Sequence, residues 1–182
     1  MGRNLIAKFL NQKDIIDAVQ SLPSQSLYKL ITHIGLEDSG EIIALATTQQ
    51  LKDIFDEDLW HNSRPGSPDR FDGKRFALWL EILNELGPAV AAERLAEMDE
   101  DFVILAFSEN VLVFDSDSLV SEFTETQGER DLEIKALETG LSHEFDNYWV
   151  FSRNDAAWDT LLSVLVHLES DYHDAFVRIM DR

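Results

Sequence analysis

The stretch of sequence best suited to binding another molecule lies between residues 60 and 75, where arginines alternate with aromatic residues. A guanidinium group beside an aromatic ring can bind a carboxylate or stack on another ring. We therefore predict an interaction patch here. The alternative is that the two large aromatic residues belong to the core and the cations only neutralise neighbouring acids. The candidate patch residues are Trp60, His61, Arg64, Arg70, Phe71 and Arg75.

Other residue patterns offer little support for catalysis. Asp56, Glu57 and Asp58 could act as paired carboxylates in acid–base chemistry, but acidic residues at a helix end are usually solvated. The five histidines are scattered, and neither HExxH nor GxSxG occurs. Both glycine-rich phosphate-binding motifs are also absent from the sequence. We therefore predict no catalytic residues, no cofactor and no metal ligands, and we expect a protein that is not an enzyme.

Acidic residues dominate the charge of the chain and are concentrated in its second half. The 182 residues have a formal net charge of -20, and residues 97–182 carry 21 acidic and 5 basic side chains. Nucleic acid is an unfavourable partner, because contacts with phosphates require cations. Such a surface usually only stays hydrated, but it could also bind a basic partner or, weakly, a divalent cation such as Mg²⁺.

The composition is that of a globular protein, with 45% hydrophobic and 27% charged residues and no cysteine. No apolar run approaches the length of a membrane span, and the first residues lack the apolar stretch of a signal peptide. We therefore predict a cytoplasmic protein without a membrane span.

Hydrophobic residues recur at helical spacing over most of the first 110 residues. The pattern predicts four short helices between residues 15 and 60, where Pro23 ends the first and Gly35 the second. A loop is expected over residues 61–70, followed by helices over about 71–86, 88–98 and 99–107, the last capped by Asp99. The expected caps of the second, third and fourth helices are Ser24, Asp38 with Glu41, and Thr47 with Gln50.

Beyond residue 110 the hydrophobic period changes. Residues 111–114 and 148–151 are short apolar runs typical of strands, and residues 132–136 alternate between apolar and charged. We expect two or three short strands here, followed by two helices that begin near residues 154 and 171. The predicted division is a helical part, residues 1–110, and a part formed by the β element and the two helices packed on it, residues 111–182. The two together are expected to form one compact unit.

Residues 27–31, 35–51 and 56–60 resemble an uncharacterised bacterial protein family whose members are longer than this chain. More distantly, the chain resembles the N-terminal domain of MgtE-type magnesium transporters. The resemblance lies in a Leu-Pro pair at a helix start, an acidic turn and an Ala-Thr-x-x-Gln-Leu motif. That resemblance spans roughly residues 13–114 and implies a right-handed superhelix of short antiparallel helix pairs. In those transporters the domain takes part in magnesium sensing. The chain ends inside a helical pattern, which suggests truncation at its C-terminus.

The expected fold is therefore mainly α, a superhelix of helix pairs with a small β element. Because stacked helix pairs present extended faces, we predict a non-enzymatic interaction or regulatory domain. Its partner would be another protein, the remainder of a longer chain of its own, or a second copy. The alternative function is a magnesium-responsive acidic module.

Overall fold

The computed structural model describes residues 15–62, 68–116 and 140–182. The chain divides into two compact units, residues 1–90 and 91–182. Most of the described residues are helical, as predicted, with two small antiparallel sheets. None of the helices in the described ranges is both long enough and apolar enough to span a membrane.

The first unit contains five α-helices and a short hairpin among its described residues. A 3₁₀ turn at Glu37–Ser39 leads into the third helix. The helices are α1 (Ile15–Gln20), α2 (Ser24–Ile34), α3 (Gly40–Leu45), α4 (Thr48–Asp58) and α5 (Gly73–Glu85). Contacts join α1 with α3, α2 with α4, and α3 with α5.

The start of α4 shows how a local sequence signal becomes a tertiary contact. Thr47 and Gln50 form the predicted capping box, each side chain binding the other residue's backbone N–H. Gln50 is buried, and its Nε2 also donates to the carbonyl oxygens of Val19 and Leu22 over 3.0 and 2.9 Å. One side chain therefore caps α4 and binds the end of α1, where the Val19 carbonyl also accepts from the backbone N–H of Leu22 over 3.1 Å.

Two other predicted caps are wrong. Ser24 is the first residue of α2 rather than its cap, and its hydroxyl donates to Asp53 over 2.6 Å. Asp38 and Glu41 form no capping box, because the chain makes a 3₁₀ turn before α3. Gly35 does end α2, with a φ of 105° that side-chain-bearing residues rarely adopt.

A hairpin closes the first unit between α4 and α5. Its strands are β1 (Trp60–His61) and β2 (Arg70–Phe71), which pair antiparallel. The predicted loop therefore has paired ends, and its residues 63–67 lie outside the described part. Asp72 then caps α5 by accepting from the backbone N–H of Arg75 over 2.9 Å.

The second unit combines helices with a three-stranded antiparallel sheet. Its elements are α6 (Pro88–Ala96, beginning at the end of the first unit), α7 (Glu100–Ser108), β3 (Val111–Asp115), β4 (Ser142–Phe145), β5 (Tyr148–Ser152), α8 (Trp158–Asp171) and α9 (His173–Met180). The strand order is β3-β5-β4. Asp99 caps α7 as predicted, and a 3₁₀ turn at Asp155–Ala157 precedes α8. The predicted strand at 132–136 lies outside the described residues.

One face of this sheet packs on α9. Phe145 and Tyr148 are opposite each other in the β4–β5 register, and their rings lie 5.3 and 6.1 Å from that of Phe176. Helix α9 also contacts α7 and α8, and α7 contacts β3. Helix α7 therefore belongs with the second unit, although the predicted division placed its residues in the helical part before residue 111.

Candidate interaction surface

A buried carboxylate, Asp58, organises the region where we predict the interaction patch. Leu51, Ile54, Phe55 and Asp58 recur at the spacing that places residues on one face of a helix, so α4 carries Asp58 on its apolar side. Asp58 is only 5% exposed. A charged group in this position is stable only if other protein groups pair with it.

Three side chains donate hydrogen bonds to this carboxylate. Arg75 binds both oxygens, through Nε to Oδ2 over 2.7 Å and through Nη2 to Oδ1 over 3.3 Å. The indole Nε1 of Trp79 donates to Oδ2 over 2.6 Å, and the hydroxyl of Tyr28 donates to Oδ1 over 2.8 Å. Charge-assisted hydrogen bonds of this kind are the strong ones, and together they replace the lost hydration.

Three helices supply the members of this cluster, which we call the Asp58 cluster: Asp58, Tyr28, Arg75 and Trp79. Arg75 and Trp79 are four residues apart on α5 and so share a face. Tyr28 comes from α2 and Asp58 from the end of α4. The N–H of Asp72 donates to the carbonyl oxygen of Leu59 over 2.8 Å, which holds the start of α5 against the end of α4.

The cluster changes the acidity of two of its members. Burial acts to raise the pKa of Asp58, but the hydrogen bonds from Arg75, Trp79 and Tyr28 outweigh it and hold the pKa below its ordinary value. Burial and the hydrogen bond to Asp58 raise the pKa of Tyr28. Asp58 is therefore a fixed negative charge at neutral pH.

The hairpin brings four of the predicted patch residues together in opposed pairs. Trp60 lies opposite Phe71, and His61 lies opposite Arg70. The rings of Trp60 and Phe71 meet edge to face at 5.4 Å, a favourable aromatic arrangement. These two rings are half-buried, whereas His61 and Arg70 are exposed. The hairpin therefore carries both an apolar pair and a polar pair.

Arg75 links this hairpin to the Asp58 cluster. It lies in the first turn of α5, and its backbone N–H donates to the side chain of Asp72, the residue that follows β2. Its side chain is 32% exposed and so remains accessible to solvent. Two of its five N–H donors bind Asp58, and the others have no hydrogen-bond partner among the described residues. The sixth predicted patch residue, Arg64, lies outside the described part of the chain.

Sequence reasoning missed the central residue of this region. Asp58 was expected to be a solvated acid at a helix end, and that expectation is wrong because the residue faces the core. Its spacing from Leu51, Ile54 and Phe55 is the signal that could have revealed its burial. Tyr28 was also missed, because no local sequence signal brings α2 next to α4.

The described ranges contain no group of three or more histidine, aspartate or glutamate side chains placed to hold a metal ion. His61 Nε2 lies 4.0 Å from Asp72 Oδ2, which makes a long and solvent-exposed pair. An exposed pair at this distance contributes little to stability.

No curated protein and no solved structure matches the chain significantly. One family model does match, and it covers residues 1–181, almost the full length. Its description is a family of unknown function, DUF6178. The chain belongs to this family.

Proposed function

We propose that the chain is a non-enzymatic interaction or regulatory domain that binds a protein partner through the hairpin patch. We define the hairpin patch by its described members, Trp60, His61, Arg70, Phe71 and Arg75. The observation that carries this proposal is the pairing of Arg75 with buried Asp58. The pair fixes a guanidinium group that still has donors available to a partner.

The chemistry of the hairpin patch defines the kind of partner it fits. A carboxylate can accept from the remaining N–H groups of Arg75 or from exposed Arg70. An aromatic or aliphatic side chain can pack against the half-buried Trp60 and Phe71 pair. Interfaces commonly concentrate their binding energy in tryptophan, tyrosine and arginine. The expected contact is therefore a partner segment that presents an acidic residue beside an apolar one.

The fold supports the same proposal. We propose that the helices of the first unit form a right-handed superhelix of helix pairs, similar to the MgtE N-terminal domain. In its support, contacts join each of the first three helices to the next helix but one, as expected when successive layers stack. Stacked layers of this kind provide an extended surface for a partner. A cytoplasmic location stays a prediction from the sequence.

Quantitative affinity capture from the native cell tests this function. The full chain serves as bait and is compared with two variants, Arg70→Glu and Lys29→Glu. Lys29 is an exposed cation on α2 in the same unit, so both variants change the charge equally. We expect Arg70→Glu to lose at least one partner that Lys29→Glu retains. If both variants recover the same partners as the wild type, the hairpin patch is not the contact surface.

A further inference from the structure

The second unit contains an open apolar cavity of about 210 Å³ between α7, β3 and α9. Most of the lining side chains are hydrophobic, among them Ile104, Phe107, Val111 and Ile179. Two arginines, Arg153 and Arg182, also line it. We call this site the arginine-rimmed cavity.

The presence of two arginines is unusual for this part of the chain. Residues 97–182 carry 21 acidic and only 5 basic side chains. The cations in the described part of that range are Arg153, Arg178 and Arg182, and two of these three line one cavity. The cavity therefore combines apolar walls with local positive charge in a strongly acidic half of the protein.

Both arginines are held in place by contacts that use only part of their donor capacity. Arg153 Nη1 donates to the carbonyl oxygen of Ser108 over 2.7 Å, and the Arg153 backbone N–H binds Asn110 over 2.8 Å. Arg182 Nη1 donates to Asp101 over 2.8 Å. A guanidinium group has five N–H donors in a planar fork, so each side chain can also bind an anion.

We infer that the arginine-rimmed cavity binds a small carboxylate with an apolar tail. An apolar cavity of about 150 Å³ is large enough for benzene, so this larger one can accept an aromatic ring or a short acyl chain. The tail replaces water against the hydrophobic walls, and the carboxylate pairs with Arg153 and Arg182. This site lies in the second unit and does not depend on the hairpin patch, so either proposal can fail without the other.

The test uses the full 182-residue chain and three probes of equal tail length: octanoate, octanol and octylamine. Isothermal titration measures the affinity, and methyl NMR of the isoleucines locates the site. We expect saturable octanoate binding that shifts the methyl signals of Ile104 and Ile179. Octanol should bind about tenfold more weakly, because it lacks the charge that pairs with arginine, and octylamine should not bind.

Two variants identify the cation that binds the carboxylate. Arg153→Gln should weaken octanoate binding about tenfold without unfolding the protein, because Arg153 is exposed. Arg178→Gln is the matched control, since Arg178 lies on α9 and pairs with Glu100 but does not line the cavity. A Kd of about 1 mM or tighter would fill the cavity almost completely at about 10 mM octanoate. The inference is overturned if binding is not saturated at that concentration. Octanol binding as tightly as octanoate, or equal effects of the two variants, also overturns it.

Discussion

Trp79 donates its indole N–H to Oδ2 of Asp58 over 2.6 Å, and both residues are buried. The same oxygen accepts from Arg75 Nε. A carboxylate in this place cannot be hydrated, so its charge depends on donors from neighbouring helices. The tryptophan and arginine on α5 are thereby fixed relative to α4, and the outer part of the arginine stays accessible to solvent.

Replacing the buried carboxylate should destabilise the protein strongly. Asp58→Asn removes the negative charge and leaves Arg75 without its ionic partner. Loss of one member of a buried pair typically costs about 3 to 5 kcal/mol. We expect the free energy of unfolding to fall by about 3 kcal/mol, because Arg75 is partly exposed and can recover some hydration. Urea unfolding followed by tryptophan fluorescence measures the change.

The matched control for this variant is Asp56→Asn. Asp56 is exposed, lies two residues earlier on α4, and undergoes the same chemical change. It should alter the free energy of unfolding by less than about 0.5 kcal/mol. Equal effects of the two substitutions would contradict a special role for Asp58.

The contribution of Asp58 to stability should be lost at low pH. Its pKa is lowered in the folded protein, as the donors outweigh the opposing effect of burial. The stabilisation is therefore present above the unfolded pKa of about 3.9 and is lost as pH falls through that value towards the folded pKa. Urea unfolding at several pH values should show a constant gap between the wild type and Asp58→Asn from pH 8 to about 5. The gap should narrow below about pH 4, and a gap that widens there would contradict the assignment.

Tyr148 should ionise only in strongly alkaline solution. Its hydrogen bond to Asp181, together with burial, raises the pKa of Tyr148 to about 12. The hydrogen bond therefore stabilises the folded protein fully below the ordinary tyrosine pKa of about 10. This stabilisation is lost as pH rises towards the pKa of Tyr148 in the folded protein. Absorbance titration at 295 nm of the wild type against Tyr148→Phe isolates this residue. We expect the absorbance difference between the wild type and Tyr148→Phe to rise only above about pH 11, and the ionisation of Tyr148 to begin at a lower pH in Asp181→Asn. A Tyr148 ionisation midpoint near pH 10 in the wild type would contradict the hydrogen bond to Asp181.

Helix boundaries followed closely from local chemistry. Pro23, Gly35 and the Thr47 and Gln50 capping box each act over a few residues, so their effects can be predicted without the rest of the chain. The predicted cap at Ser24 is wrong because its hydroxyl donates to Asp53 on another helix, and the one at Asp38 is wrong because a 3₁₀ turn precedes α3. The 3₁₀ turn moves the start of α3 beyond the predicted capping residues.

The candidate surface was only partly predictable. Trp60, Arg70 and Phe71 lie within twelve consecutive residues, so composition alone marks the region, but the strand pairing that brings them together in space is not visible in the sequence. Tyr28 is 30 residues from Asp58, and no local pattern specifies that contact. Packing between distant helices also buries Asp58. The face of α4 on which Asp58 lies decides its burial, rather than its position at the end of the helix.

Titration with magnesium separates the proposed interaction domain from the magnesium-responsive alternative. Thermal melts are recorded with MgCl₂ and with NaCl at equal ionic strength, so that general screening is matched. We expect the two salts to shift the melting temperature by similar amounts. A much larger stabilisation by Mg²⁺ would indicate specific binding of the cation to the folded protein and would favour the alternative.

Site-specific photocrosslinking in the native cell tests whether the hairpin patch binds a partner. A photoreactive amino acid replaces Asn62, the exposed residue that follows β1, or, as a control, exposed Lys29 on α2, so that every member of the hairpin patch is kept. We expect a discrete crosslinked partner from position 62 and none of the same mass from position 29. Trp60→Ala in the position 62 variant should weaken that adduct. No adduct at position 62, or the same adduct at both positions, would contradict the claim that this domain binds a partner through the hairpin patch.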